Sequence, residues 1–127
     1  MPLVRISLLE GKPESHLRKI GDAIHRAMVE TISIPPKDRF QFITEHSKRQ
    51  FSYPAEYLDI THTDDFVAIQ ITLNQGRTLE VKKALYQRVA ELVSQEAGVR
   101  REDVFINLVE VPKENWSFGN GIAQYAP

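Results

Sequence analysis

Removal of an initiator methionine is routine when the second residue is small, and here it would leave Pro2 as a free secondary amine at the head of an apolar run. An α-amino group titrates near ~7.7–8.0, so modest desolvation or a neighbouring cation makes it a competent general base at neutral pH. A retained Met1 blocks that amine. Arg77 is the second distinctive residue, because it stands where a helix opens. Free N–H groups and the macrodipole disfavour a cation there and attract an anion, so an arginine beside them offers a carboxylate two attractions at once. Positions that break a local rule in this way are where function is expected. Asp38 follows Pro35 and Pro36 at a helix-to-strand turn, where an aspartate either caps backbone N–H groups or serves as a catalytic carboxylate. Trp116 and Phe118, in the segment NWSFGNG, are too aromatic for a loose tail and lie in too polar a stretch for core; they suit the wall of an apolar pocket.

These residues are positioned by a duplicated unit. Adding 65 to the residue number sends Val4 to Ile69, Ile6 to Ile71, Leu8 to Leu73, Gly11 to Gly76, Lys12 to Arg77 and Asp38 to Asp103, without a gap. Self-similarity at a fixed offset decides architecture before propensity does. In the first copy, residues 2–46, Leu3 to Leu9 reads as a strand and Gly11 breaks it. A helix then opens at Pro13 with Leu17, Ile20, Ile24, Ala27, Met28 and Ile32 on one face. Pro35 and Pro36 end the helix, and Arg39 to His46 forms a second strand. The second copy, residues 67–111, repeats this: a strand from Phe66 to Asn74, a turn at Gln75 and Gly76, a helix closed by Gly98, and a last strand from Val104 to Val111. Each copy is strand, helix, strand, and a right-handed crossover makes each strand pair parallel.

The expected fold is therefore α/β of the α+β kind. Two β-α-β units form one four-stranded sheet with both helices on one face, in a single domain over residues 1–127. Phe66 to Leu73 is apolar at almost every position and reads as a strand buried on both sides. Two helices cover only one face, so the other is expected to meet further subunits. Residues 47–65 form a polar and aromatic connection between the copies.

Composition narrows the function classes. The chain has 127 residues, 16 Lys and Arg against 17 Asp and Glu, a formal charge of -1, and no cysteine. Thiol catalysis and disulfides are excluded, and there is no basic surplus to hold nucleic acid or an anionic membrane. No apolar stretch approaches the ~18 residues of a membrane span and no secretory leader pattern opens the chain, so a cytoplasmic location is expected. The four histidines, His16, His25, His46 and His62, lack ligand spacing, so no metal is expected. Nucleotide-binding and serine-hydrolase motifs are missing as well, and no organic cofactor is expected.

Taken in order, MPLVRISLLEGK, DAIHRAMVE, IPPKDRFQ, GRTLEVKK and WSFGNGIAQY make the chain similar to the tautomerase superfamily, specifically its malonate semialdehyde decarboxylase branch. The resemblance implies a homotrimer of double β-α-β chains. It matches Pro2 to the catalytic amino-terminal proline, Asp38 to the decarboxylase aspartate, Arg77 to a substrate-carboxylate arginine, and Trp116 and Phe118 to aromatic residues of the pocket. The branch carries a second arginine two residues before that position, where this chain has Gln75. Losing that cation removes one carboxylate clamp and one charge that would depress the amine pKa, although Gln75 still donates a neutral hydrogen bond.

Three functions follow. The favoured one is cofactor-independent keto-enol tautomerisation of a small 2-oxo acid, which needs only Pro2 and one carboxylate anchor. The second is decarboxylation or hydration of malonate semialdehyde or a relative, with a protonated Pro2 polarising a β-carbonyl. The third is a trimeric binding protein that keeps the fold without catalysis, which a retained Met1 favours.

Overall fold

The computed structural model describes residues 2–127; Met1, and with it the question of its removal, lies outside the described residues. Strands β1 (Leu3–Leu9), β2 (Phe40–His46), β5 (Val67–Asn74) and β6 (Val104–Val111) form a single sheet in the order β2-β1-β5-β6. A two-residue hairpin, β3 (Glu56–Tyr57) with β4 (Ile60–Thr61), lies in the connection between the halves. β1 runs parallel to β2 and β5 parallel to β6, while β1 and β5 meet antiparallel at the centre.

The 65-residue offset holds in the backbone. Helix α1 spans Glu14–Ile32 and α2 spans Leu79–Ala97. Leu3 pairs with Phe40 as Ala68 pairs with Phe105. The amide of Glu10 donates to the carbonyl of His46 at 2.8 Å, and that of Gln75 to Val111 at 2.9 Å. Gly11 and Gly76 carry φ values of 112° and 117°, a region that favours glycine, so each strand-to-helix turn depends on the same residue type. Ser33 at φ 57° and Gly98 at φ 72° end the two helices in the left-handed conformation.

Both helices pack on one face of the sheet. Val4, Ile6, Ile69 and Ile71 point from the strands into Ile24 and Leu85 of the helices, all at most 1% exposed. Full burial of such side chains is worth about 1.5–3 kcal/mol each, and truncating one to alanine costs about 2–5 kcal/mol once the cavity is counted. This layer fixes where the ends of the strands lie.

The opposite face is bare in the single chain. β5 alternates rather than staying buried throughout: Val67, Ile69, Ile71 and Leu73 are buried, Gln70 is exposed, and Ala68 and Thr72 are half-buried. Sequence alone reads β5 as covered on both sides because its outward positions carry small or neutral residues. With both helices on the other face, those positions open outward beside exposed Phe40, Phe42 and Phe105.

Candidate active site

The register brings the sequence-predicted residues to one end of the sheet. Leu3 pairs with Phe40 on one side and with Thr72 on the other. One step outward along β1, buried Pro2 lies between the Asp38–Arg39 turn that opens β2 and the Leu73–Asn74 end of β5. Asn74 pairs in turn with Val111, so the segment that follows β6, including Trp116 and Phe118, returns to the same end. Pro2, Asp38, Gln75, Arg77 and Trp116 thus come from four different strand ends brought side by side.

Asp38 does not cap its turn. The turn closes through its amide, which donates to the Pro35 carbonyl at 2.9 Å. The side chain is 5% exposed, and neither carboxylate oxygen has a partner among the described residues. A buried acceptor without a partner costs about 1–3 kcal/mol, more for a charged group, and such groups persist where function requires them. Burial pushes the Asp38 carboxyl above the ordinary carboxylate range, against the opposing pull of the amino-terminal charge and of His25. His25 on α1 steadies this corner: its Nε2–H donates to the Pro36 carbonyl at 2.8 Å, and its Nδ1 is buried without a partner among the described residues.

Arg77 sits one residue before Thr78, the N-cap of α2, whose hydroxyl accepts the Val81 N–H at 3.3 Å. Its Nη1 donates to the Asn74 carbonyl at 3.0 Å, which fixes the guanidinium against the strand end. Among the described residues it is in no ion pair, so its remaining N–H groups are available to an anion. Gln75 is exposed beside it. Trp116 and Phe118 stack with centroids 5.6 Å apart and planes 12° from parallel, and Tyr125 meets Phe118 edge-on at 5.1 Å.

Sequence reasoning missed Asn74. Its carbonyl holds Arg77 while its Oδ1 accepts the indole N–H of Trp116 at 2.7 Å, so one residue ties the cation to the aromatic wall. The available signal was a polar residue closing the strand where the first copy has Leu9.

At the other end of the sheet, the duplicated positions are engaged within the chain. Lys12, the counterpart of Arg77, forms an ion pair with Asp65 at 2.5 Å. Asp103, the counterpart of Asp38, is fully buried and accepts both the amide of Thr63 at 2.7 Å and its hydroxyl at 2.5 Å. Its amide repeats the turn bond of Asp38, donating to Arg100 at 2.9 Å. The connection between the halves supplies Thr63 and Asp65, and so closes one end while the other stays open.

A duplicated β-α-β sheet thus gathers an aspartate, an arginine and a buried proline at one end. The family model described as "Tautomerase enzyme" matches residues 38–119, and a second model of the same description matches residues 2–57. A probable tautomerase of Bacillus subtilis (strain 168), YusQ, is 47% identical over 124 residues, covering 98% of each chain. The chain belongs to the tautomerase family.

Among solved structures, a malonate semialdehyde decarboxylase described with decarboxylase and hydratase activities superposes with a TM-score of 0.91 at 26% identity, covering 97% of this chain and 95% of that one. A second malonate semialdehyde decarboxylase, inhibited by 3-bromopropiolate, gives 0.90 at 36% identity, covering 97% and 93%. A fused 4-OT symmetric trimer shares the fold at a TM-score of 0.79 and 23% identity, covering 98% of both chains.

Proposed function

We propose that the mature protein begins at Pro2 and is a tautomerase that moves a proton between oxygen and carbon of a small 2-oxo acid, with Pro2 as the base and Arg77 holding the substrate carboxylate. The observation that carries this reading is the open end of the sheet, where buried Pro2 lies between Asp38, unpartnered among the described residues, and the strand end that anchors Arg77. The amine of Pro2 takes the enol proton and returns it to the adjacent carbon, so no group is lost or gained. Arg77 neutralises the substrate carboxylate, and Gln75 donates to a second substrate oxygen. Trp116 and Phe118 exclude water from the apolar side. Burial of Pro2 and the neighbouring Arg77 cation favour its unprotonated form, and Gln75 in place of a second arginine gives up part of that effect.

Decarboxylation is a second reading, favoured by the buried carboxyl of Asp38 and by the likeness to two malonate semialdehyde decarboxylases. In that reading Asp38 keeps Pro2 protonated, and the cation stabilises the enolate formed as CO2 leaves. We further propose a homotrimer, in which neighbouring chains cover the face that exposes Phe40, Phe42 and Phe105; the fold shared with a fused 4-OT symmetric trimer supports this. 3-Bromopropiolate, which inhibits the 36% identical decarboxylase, is expected to inhibit this protein too.

Ultraviolet assay of phenylenolpyruvate ketonisation tests the primary reading. Activity is expected in the mature protein, with kcat/KM lowered about 100-fold or more in Pro2→Ala and Arg77→Ala. Release of CO2 from malonate semialdehyde at a rate far above ketonisation would reverse the order of the two readings. Light scattering at three times the chain mass is expected for the trimer.

A further inference from the structure

The turn that carries Asp38 departs from its copy at one carbonyl. In the second copy, Arg101–Asp103 is a short helical turn closed by the backbone alone, since the Val104 amide donates to the Arg101 carbonyl. Arg101 is the 65-residue counterpart of Pro36, and Val104 that of Arg39. In the first copy the Arg39 amide donates instead to the Lys37 carbonyl at 3.0 Å, and the Pro36 carbonyl receives the Nε2–H of His25 at 2.8 Å from helix α1. A side-chain bond in the open copy thus stands in for a backbone bond in the closed one. A carbonyl only accepts, so Nε2 carries a proton and any second proton on the ring goes to Nδ1.

Packing does not require this ring. The counterpart of His25 is Ala90, half-buried on α2 beside a shallow hollow of about 270 Å³ lined by Tyr86, Ala90, Val104 and Ile106. The same layer of helix on sheet therefore forms with a methyl group at that position. The imidazole accompanies the copy whose aspartate is free. Asp103 receives two hydrogen bonds from Thr63, whereas both Asp38 carboxylate oxygens and Nδ1 of His25 are buried without a partner among the described residues. Of the other charged groups at this end, Arg39 is paired with Asp22 at 2.7 Å, Lys37 is exposed, and Arg77 is held on the Asn74 carbonyl. The charges that reach the Asp38 carboxyl are those of the amino terminus and of His25. We propose that His25 is a positioning residue of the open end: its Nε2–H sets the Asp38 turn through the Pro36 carbonyl, and its ring is the cation that α1 presents to the Asp38 carboxylate. This deepens the reading of the open end as an active site and rests on it for the activity measurement alone.

Two substitutions separate the functions of the ring. His25→Phe keeps a planar ring without nitrogen, while His25→Gln keeps an N–H donor in the place of Nε2 without the charge. In the mature protein His25→Phe is expected to lower kcat for phenylenolpyruvate ketonisation about 10-fold with KM changed less than about twofold, and His25→Gln to recover kcat to within about threefold of the parent. In an Asp38→Asn background, His25→Phe is expected to have no further effect. Carbon NMR of the Asp38 carboxyl against pH reads the second part without catalysis. An opposite charge nearby favours the ionised carboxylate, so His25→Gln, which removes that charge, is expected to move the Asp38 titration to higher pH. An unmoved Asp38 titration in His25→Gln overturns the inference, whether or not His25→Phe folds. Equal losses of kcat in the two variants, or a His25→Phe variant as active as the parent, overturn it as well. Absence of ketonisation alongside the moved titration would reject the proposed function and leave the placement of His25 standing.

Discussion

Asp38 and Asp103 occupy the same place in two copies of one unit, yet Thr63 gives Asp103 two hydrogen bonds and Asp38 has none among the described residues. The pair separates stability from function. Asp103→Ala strands the Thr63 amide and is expected to cost about 2–3 kcal/mol of unfolding free energy, measured by urea titration, with kcat/KM of the folded protein changed less than about threefold.

The sign is opposite at Asp38. Because burial raises its folded-state pKa, its contribution to stability is complete below the unfolded value of 3.8 and is lost as pH rises through the folded value. Asp38→Asn removes that loss. The variant is expected to melt at a higher temperature than the parent at pH 7, with the difference closing below about pH 4, while activity falls. A scan of melting temperature against pH for both proteins reads this directly.

Gln75 decides how many cations face the substrate. Gln75→Arg adds a bidentate carboxylate donor and a positive charge near the amine. It is expected to lower KM for a dicarboxylate enol several-fold and to move the acidic limb of the kcat/KM profile to lower pH. Unchanged pH dependence would mean that Gln75 lies outside the field of the amine.

Asn74 joins the cation to the aromatic wall, since its side chain receives the Trp116 N–H and its backbone carbonyl receives Arg77. Asn74→Leu keeps the backbone bond and removes the side-chain acceptor. The expected result is a several-fold rise in KM with a smaller effect on kcat, accompanied by a shift in the emission of Trp116, the chain's single tryptophan. In a Trp116→Phe background the KM effect of Asn74→Leu is expected to disappear.

Much of this was legible in the residues. The offset from Lys12 to Arg77 and from Asp38 to Asp103 predicts two β-α-β units, and the helices, strand pairings and turn bonds repeat at that offset. What could not be read was how the other copy is closed. Lys12 and Arg77 are both cations beside a helix start, and only the path of residues 47–65 shows that Asp65 neutralises the first. Side-chain partners across long sequence separations, such as Thr63 with Asp103 or Asn74 with Trp116, leave no periodic trace. The sheet face that is bare in the single chain was legible, since two helices cover only one side and leave Phe40, Phe42 and Phe105 to the other.

Mass mapping after treatment with 3-bromopropiolate tests the central claim most directly, because it reports both the residue at the chain terminus and the nucleophile. Untreated active protein is expected to begin at Pro2, and inactivated protein to carry one label on its Pro2 peptide, with labelling slowed by substrate and abolished in Arg77→Ala. Active protein that still carries Met1, or inactivation with the label on another residue, would contradict it.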